Sequence, residues 1–437
     1  MKELFQENIV DKFFLPRATD AEDSLREFHK LASDFGKFLF GRKQGTMRPR
    51  SFEHVVDDAR SRDALNSNSG WPLFAKRNLP DVIKQSIADA TSGRAYDYPA
   101  IALFRNYSGK NRLVWMTPQS LNLEEGAFTQ PLLQFLREHV NPVIRDFVAP
   151  WEGFQKVKET LTAQWTGDSL MLGGDVKAME DCMRLGELRL CFEIVKQGFQ
   201  RTYWDRLWKS ISHCSSIPLV FSDAQFITGQ HGLDSGSGWT NLIETVIQLF
   251  VEWYERREVL KGGTMCGQAI GDDSITKVQK ELASTPVERK AYLEAVYLPT
   301  RERFGLEANL DKQYFEEHSV TFLQRLFCRG WQSRDNAKIL GGIYPIVRAM
   351  NSLIHPEKYH SEEEWSKDMH CLRAYSILEN TVDSPVFLPF LTFVVKGDRH
   401  LIPFALKGDS ELVAVQSRSR LINGLNASYN QEKIGMS

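Results

Sequence analysis

The apolar positions of the chain follow two periods, and the change from one to the other marks out its elements. Between residues 94 and 120, YPAIALF and RLVWM read as two strands joined by a turn at Asn106–Asn111. The apolar run SLMLGG reads as a short strand ending on Asp175. From 178 to 200 the period becomes helical, with Met179, Met183, Leu190 and Ile194 on one stripe that Gly186 interrupts. Thr240 to Glu258 is helical again, since Leu242, Val246, Leu249 and Trp253 recur at three and four. TMCGQAI and SITKV flank Gly271-Asp272-Asp273, which predicts a β-hairpin with the acids at its tip. Residues 287–304 read as helix, and HSVTFLQRLF (318–327) as a second hairpin. Beyond about Gly330 the chain reads as mostly helical, with Ser361 and Glu364 as a capping box. Residues 1–60 are mixed helix and loop. The central order of strand, helix, helix, hairpin, helix, strand suits a small antiparallel sheet backed by helices.

Composition places few further limits on this picture. The 437 residues, 42% hydrophobic and 25% charged, make an ordinary globular chain with material for a large core and about two to four lobes. No stretch approaches the roughly 20 apolar residues of a membrane helix. The N-terminal MKELFQENIVDKFF carries acids within its apolar run, which predicts no secretory signal. Six scattered cysteines without a CxxC pair predict neither a structural zinc site nor a disulfide framework, and a reducing setting.

Charge changes the picture through its distribution. The net charge of −2, from 54 basic and 56 acidic residues, excludes a protein that holds nucleic acid by a uniformly basic exterior. It leaves room for a channel lined locally with cations. Arg42, Lys43, Arg48 and Arg50 fall within 41–50 without an acid, and Arg105, Lys110 and Arg112 within 101–115 likewise. Glu362, Glu363 and Glu364 cluster late in the chain.

The candidate chemistry lies in three carboxylates. Asp175 ends a strand, and Asp272 and Asp273 sit at a hairpin tip. Both are places from which a side chain projects beyond a sheet edge. If the strands are neighbours, the acids converge and repel one another unless cations neutralise them. Carboxylate oxygens are the ligands that hard ions such as Mg²⁺ select, and two such ions can clamp the attacking and leaving oxygens of phosphoryl transfer. Gly-Asp-Asp alone is also an ordinary turn sequence; its company gives it meaning. GLDSGSGWTNLIETV (232–246) puts a glycine-rich turn at Ser235-Gly236 before a helix that Thr240 opens, and such a turn admits close approach of another backbone. Lys110 and Arg112, two apart on an extended segment, share a face suited to a triphosphate. SNSGWPLFAKR (67–77) is a Gly/Pro loop followed by basic residues.

Taken in order over roughly residues 66–345, these segments resemble the RNA-directed RNA polymerases of positive-strand and double-stranded RNA viruses, above all the picobirnavirus and partitivirus polymerases. SNSGWP resembles the loop that guides the template, which implies template contacts at Ser69, Gly70 and Pro72. GKNRLVWMTP resembles the basic strand that binds nucleoside triphosphates, with Lys110 and Arg112 as its cations. GGDVKAMED, SGSGWTNLIE and GDD resemble the first three palm motifs. The resemblance implies Asp175, Asp272 and Asp273 as ligands of two Mg²⁺ or Mn²⁺ ions, and Ser235, Gly236 and Thr240 as substrate contacts. GLEANLDKQ resembles the fourth motif, with Lys312 as a candidate proton donor, and TFLQRLF the hairpin where palm meets thumb. Two positions depart from the common pattern. Glu180 and Asp181 stand where one Asp is usual, leaving open which reads the ribose, and Glu244 replaces a frequent Asn.

The expected fold is therefore α+β, a right-hand polymerase of fingers, palm and thumb with an antiparallel palm sheet packed on helices. The expected lobes are fingers over 1–165 with an insertion at 196–230, palm over 166–195 and 231–330, and thumb over 331–437. The expected function is template-directed RNA synthesis for a viral genome, in the host cytoplasm and inside the virion. RNA template, nascent strand and nucleoside triphosphates are the partners, capsid protein is an additional candidate, and no membrane is involved. Two alternatives remain open at this point: a reverse transcriptase, and a non-catalytic RNA-binding or capsid-associated protein on a degenerate polymerase fold. Acids at 180 and 181, where reverse transcriptases usually carry an aromatic, favour ribonucleotides, because a carboxylate accepts a hydrogen bond from a 2′-hydroxyl.

Overall fold

The computed structural model describes residues 13–62, 64–107, 110–167, 169–222, 225–355 and 365–419. The capping box expected at Ser361 and Glu364 lies outside them, as do the side chains of residues 105–107, 110 and 111. The chain divides into two compact units. The first comprises 1–148, 174–276 and 281–313, and the second 149–173, 277–280 and 314–437.

Ten strands occur among the described residues: β1 (Ala100–Tyr107), β2 (Lys110–Met116), β3 (Ser169–Asp175), β4 (Leu219–Ser222), β5 (Gln225–Ile227), β6 (Gly267–Ile270), β7 (Asp273–Gln279), β8 (Ser319–Phe322), β9 (Arg325–Gln332) and β10 (Leu340–Ile343). They form three sheets, ordered β2-β1-β4-β5, β3-β7-β6 and β10-β9-β8. The expected strand pair is β1 and β2, antiparallel with Arg105 opposite Arg112. The sequence pattern gives no sign of β4, which joins β1 in parallel.

In the first unit, β6 and β7 form the expected hairpin, closed by the pair Ile270 and Asp273 around a two-residue turn. Gly271 takes φ +59° there, a conformation that strains any residue with a Cβ. Asp175 and Asp273 are the last residue of β3 and the first of β7, which lie side by side. Gly174 gives β3 its close fit, since a Cβ there would collide with the Tyr297 hydroxyl and Ser274.

Behind the hairpin runs the helix Thr240–Tyr254, every residue of which after Asn241 is buried. Its apolar stripe meets the helix His29–Phe40: the Phe35 ring centroid lies 5.7 Å from Phe250 and 5.1 Å from Trp253. It continues as a wider π turn over Glu255–Val259. There Glu255 accepts from Arg301 Nη1 at 2.6 Å and from the Tyr292 hydroxyl at 2.7 Å. All these groups are buried, so losing one partner would strand a charge.

The stretch 178–200 is not one helix. It is a single turn, Met179–Cys182, and a helix, Leu185–Val195. Met183 and Arg184 between them are extended, and Glu187 accepts from the Arg184 N–H at 2.9 Å to start the second helix. Both parts bury their apolar residues, so the stripe survives a break in the backbone. Gly186 opens the second helix instead of interrupting a longer one, and a Cβ there would meet Ser24 and Thr19.

In the second unit, the expected hairpin is β8–β9, turning through Leu323 and Gln324 at φ +49° and +62°. β9 runs on to Gln332 and pairs with β10, so the region after Gly330 begins as sheet before becoming helical. Its helices bury Met369, Leu372, Leu401, Phe404 and Val415 in one core cluster. None of the six cysteines is in a disulfide. Among the described residues no helix is long and apolar enough to cross a membrane.

Candidate active site

Asp175 is fixed by its backbone. Its N–H donates to Gln313 Oε1 at 3.1 Å, and its carbonyl accepts from Gln313 Nε2 at 2.9 Å. Val176 bridges to Ala308, and the Lys177 N–H reaches the Glu307 carbonyl at 2.7 Å. These bonds lay residues 307–313 alongside the end of β3 and bring Lys312 Nζ to 3.1 Å from Asp175 Oδ2. The sequence offered Asp175 and Lys312 separately; the fold makes them a pair.

The hairpin tip is anchored from below. The Gly271 N–H donates to Thr245 Oγ1 at 3.0 Å, and a Cβ on Gly271 would stand 3.1 Å from Glu244 Oε2. Glu244 is buried, and its Oε1 has no hydrogen-bond partner.

The acids make an electrostatically uncomfortable cluster. Burial, then the charges of Asp272 and Asp175, push the Asp273 carboxyl up to about 7. Asp272 is exposed at the turn, yet crowding by protein and the charge of Asp175 raise it, while Arg112 acts the other way. Glu180, half-buried, is pushed up to about 7 by burial, then by Asp181 and Asp272, again opposed by Arg112. Burial holds Glu244 well above the usual range, with Glu180 and Asp272 adding to it. Five carboxyls, Asp175, Asp272, Asp273, Glu180 and Glu244, are thus linked by their charges, and the Arg112 guanidinium opposes them at Asp272 and Glu180.

That donor set fits hard divalent cations, which would relieve the repulsion through oxygen ligands. Among the described residues no three acids, histidines or cysteines close a shell around one point. Magnesium commonly takes one or two carboxylates and completes its shell with water and substrate phosphates. Open carboxylates, one of them paired with a lysine ammonium, are compatible with such binding.

The other predicted residues fall into two groups. Arg112, exposed on β2, shares the field of Asp272 and Glu180. The backbone of Lys110 lies on the same strand. Asp181 is buried, and its charge acts on Glu180 as well as on Arg17 and Arg184. Of the two candidate ribose readers, Glu180 is the one that Asp272 and Arg112 act on directly.

The second group is the loop 234–238. Ser235 Oγ accepts from the Trp115 N–H at 3.3 Å, which ties the loop to β2. Gly236 lies so close to Thr117 and the Trp115 carbonyl that a Cβ would not fit. Thr240 is buried and gives its hydroxyl proton to the Asp234 carbonyl at 2.5 Å, so it holds the loop from within.

Residues that carry no motif complete the support. Glu125, buried on the helix Gln119–Arg137, accepts from Ser237 Oγ at 2.7 Å, Gly238 N–H at 2.8 Å and Asn122 Nδ2 at 3.1 Å. Asp234 Oδ1 accepts from Thr117 Oγ1 and the Gly236 N–H, each at 3.1 Å. Asn122 Nδ2 also donates to the Gly236 carbonyl at 3.0 Å, and its Oδ1 accepts from Arg77 at 2.9 Å. Arg77 closes the predicted template loop. There Ser69 is buried, its carbonyl accepting from Gln119 N–H at 2.8 Å and its Oγ from Ala75 N–H at 3.2 Å. Gly70 sits at φ +71° against the Thr117 carbonyl, and Pro72 is exposed. The 67–77 loop, β2 and the 234–238 loop are therefore one hydrogen-bonded body. Two adjacent acids inside an apolar helix, Glu124-Glu125, are the only sequence sign of it.

The chain has the α+β fold of the right-hand polymerases. No protein-family model matches it. It resembles the picobirnavirus polymerases in both sequence and fold. It is 25% identical over 390 residues, 82% of this chain and 67% of the relative, to a potential RNA-dependent RNA polymerase of human picobirnavirus. The crystal structure of the RNA-dependent RNA polymerase of a human picobirnavirus superposes with a TM-score of 0.71 at 22% identity, covering 89% of this chain and 74% of that one. Its insertion-loop deletion mutant gives 0.69 at 22% identity, with 88% and 75% covered.

Proposed function

We propose that this chain is an RNA-directed RNA polymerase that copies a viral RNA genome by two-metal nucleotidyl transfer. One observation carries the reading: the charges of Asp175, Asp272, Asp273 and Glu180 are linked, with Arg112 acting on Asp272 and Glu180, on a scaffold of this fold. A divalent pair held by Asp175, Asp272 and Asp273 would supply activation of the primer 3′-hydroxyl and charge neutralisation on the triphosphate.

The protein's own groups supply the rest. Arg112, with Lys110 on the same strand, holds the triphosphate by charge-assisted contacts. Lys312, beside Asp175, is placed to give a proton to the leaving pyrophosphate. The Ser-Gly loop sets the position of the nucleotide, and Glu180 accepts a hydrogen bond from its 2′-hydroxyl. The template passes Ser69, Gly70 and Pro72. Fingers, palm and thumb follow the boundaries expected from the sequence, and synthesis takes place within the viral particle.

Extension of a primed RNA template with matched ribo- and deoxyribonucleotides tests this. Divalent-dependent incorporation favouring ribonucleotides is expected. Preference for deoxyribonucleotides would make the chain a reverse transcriptase, and no incorporation at all would make it a non-catalytic RNA-binding protein.

A further inference from the structure

The cations of residues 41–50 have no place in the site above. The segment contains Arg42, Lys43, Arg48 and Arg50 and no acid. It is a fixed part of the first unit. Gln44 Nε2 caps the helix His29–Phe40 by donating to the Lys37 and Gly41 carbonyls at 3.1 and 3.0 Å. Met47 N–H donates to the Gly198 carbonyl at 2.9 Å, Gln200 N–H to the Met47 carbonyl at 3.0 Å, and Gly45 N–H to the Gln197 carbonyl at 2.9 Å.

The strip it is stapled to, residues 194–204 (IVKQGFQRTYW), also has no acid and adds Lys196 and Arg201. Two acid-free segments are thus locked side by side in a chain whose overall charge is −2. Arg42, Lys43, Arg48 and Arg201 are exposed, and none has an ion-pair partner among the described residues. Arg50 and Lys196 are engaged, with His54 and Gln134 and with Glu193 respectively. Lys196 and Arg201 lie 4.9 and 5.9 Å from the centre of the half-buried Trp204 ring. No hydrogen bond or ion pair among the described residues joins the four exposed cations to the 67–77 loop, β2 or the Gly271–Asp272 tip.

We infer that Arg42, Lys43, Arg48 and Arg201 form a second RNA-binding surface, separate from the catalytic site, which grips the phosphate backbone of strand lying outside it. Clustered cations without acids to answer them give a field that a polyanion neutralises with release of counterions. Three of the four are arginines, whose planar fork matches phosphate oxygens two at a time. The inference takes the identity of the polyanion from the proposed function, and the test keeps the two apart.

Full-length protein would be titrated with a long single-stranded RNA over a range of KCl, as wild type and as Arg42→Ala/Arg48→Ala/Arg201→Ala. Extension of the shortest primed template that still supports synthesis would be measured on the same preparations. Three lost phosphate contacts should flatten the slope of log affinity against log salt by about 2. Affinity for the long RNA should fall at least about tenfold, with extension of the short template unchanged. The triple Arg→Lys variant, which keeps the charges, should retain most of the slope. Equal slope and affinity in the wild type and the alanine variant would overturn the inference. So would poly-glutamate displacing the RNA as effectively as unlabelled RNA of equal charge, which would assign the surface to an acidic protein segment. A wild type that shows the slope difference but extends no template would leave this surface standing and remove the polymerase reading.

Discussion

Lys312 Nζ lies 3.1 Å from Asp175 Oδ2, at the junction of two segments that are far apart in sequence and joined through Gln313. An ammonium held there can serve as a proton donor to a leaving group or simply as a counter-charge to the aspartate. The two roles separate on substitution. Lys312→Ala should lower kcat by about 10²-fold, the usual worth of a general acid, with little change in the KM for nucleotides. Lys312→Arg keeps the charge but cannot release its proton in the working range, so it should recover little of the rate. Near wild-type kcat in the arginine variant would reduce Lys312 to a counter-charge.

Sugar selection is expected at Glu180 and not at Asp181, because Glu180 is half-buried beside Asp272 and Arg112, while Asp181 is buried with its charge also on Arg17 and Arg184. A site that hydrogen-bonds a hydroxyl rejects the analogue lacking it, since the buried partner is left unpaired. Glu180→Ala should narrow the ratio of ribo- to deoxyribonucleotide incorporation. Asp181→Ala should leave the ratio alone and lower the melting temperature. The reverse pattern would exchange the two assignments.

Glu125 is expected to act as a positioning residue. Its carboxylate takes hydrogen bonds from Ser237, Gly238, Asn122 and Cys214, the first two in the loop that carries Gly236. Glu125→Ala strands buried donors and should cost about 1–3 kcal/mol of stability. It should also raise the KM for nucleotides, because the loop loses its anchor. Glu125→Gln keeps an acceptor oxygen and should recover part of both. An altered melting temperature with unchanged KM would confine Glu125 to stability.

The contrast between these residues shows what a sequence discloses. The hairpin around Asp272 and the strand ending at Asp175 were legible, because their alternation and turn chemistry are local. So was the helix from Thr240, whose apolar stripe is unbroken. The split at Met183–Arg184 was not, since both halves keep burying the same stripe and periodicity does not register a backbone break. β4 was not legible either, being four residues long and joined to its sheet through β1, more than a hundred residues earlier, with only the three-residue β5 on its other side. Glu125, Asp234 and Asn122 escape for a third reason. Buried polar groups are defined by their partners, and those come from three separate stretches of chain. Lys312 and Asp175 were each visible by resemblance, but their contact depends on Gln313, which no pattern marks.

The raised carboxyls predict a link between pH, metal and stability. Asp273 and Glu180 both rise to about 7 in the folded chain. Between the ordinary carboxylate range and that value, the native state holds protons that the unfolded chain has released. Without divalent ions, stability should therefore fall as pH rises through this window. Mg²⁺ binds the ionised form, so its stabilising effect should be larger at about pH 8 than at about pH 5. Thermal melts of the wild type and Asp273→Asn with and without Mg²⁺ check this. The variant should lose most of the difference. An Mg²⁺ effect that does not depend on pH, or that survives in Asp273→Asn, would contradict it.

The most direct test of the central claim is incorporation of ribonucleotides on a primed RNA template by wild type and Asp272→Asn, with Mg²⁺ titrated. Asp272 is exposed at the turn, so its replacement should leave the unfolding free energy within about 0.5 kcal/mol of the wild type. The account predicts Mg²⁺-dependent synthesis by the wild type and none above background by the folded variant. Synthesis by Asp272→Asn at a rate near that of the wild type would contradict it.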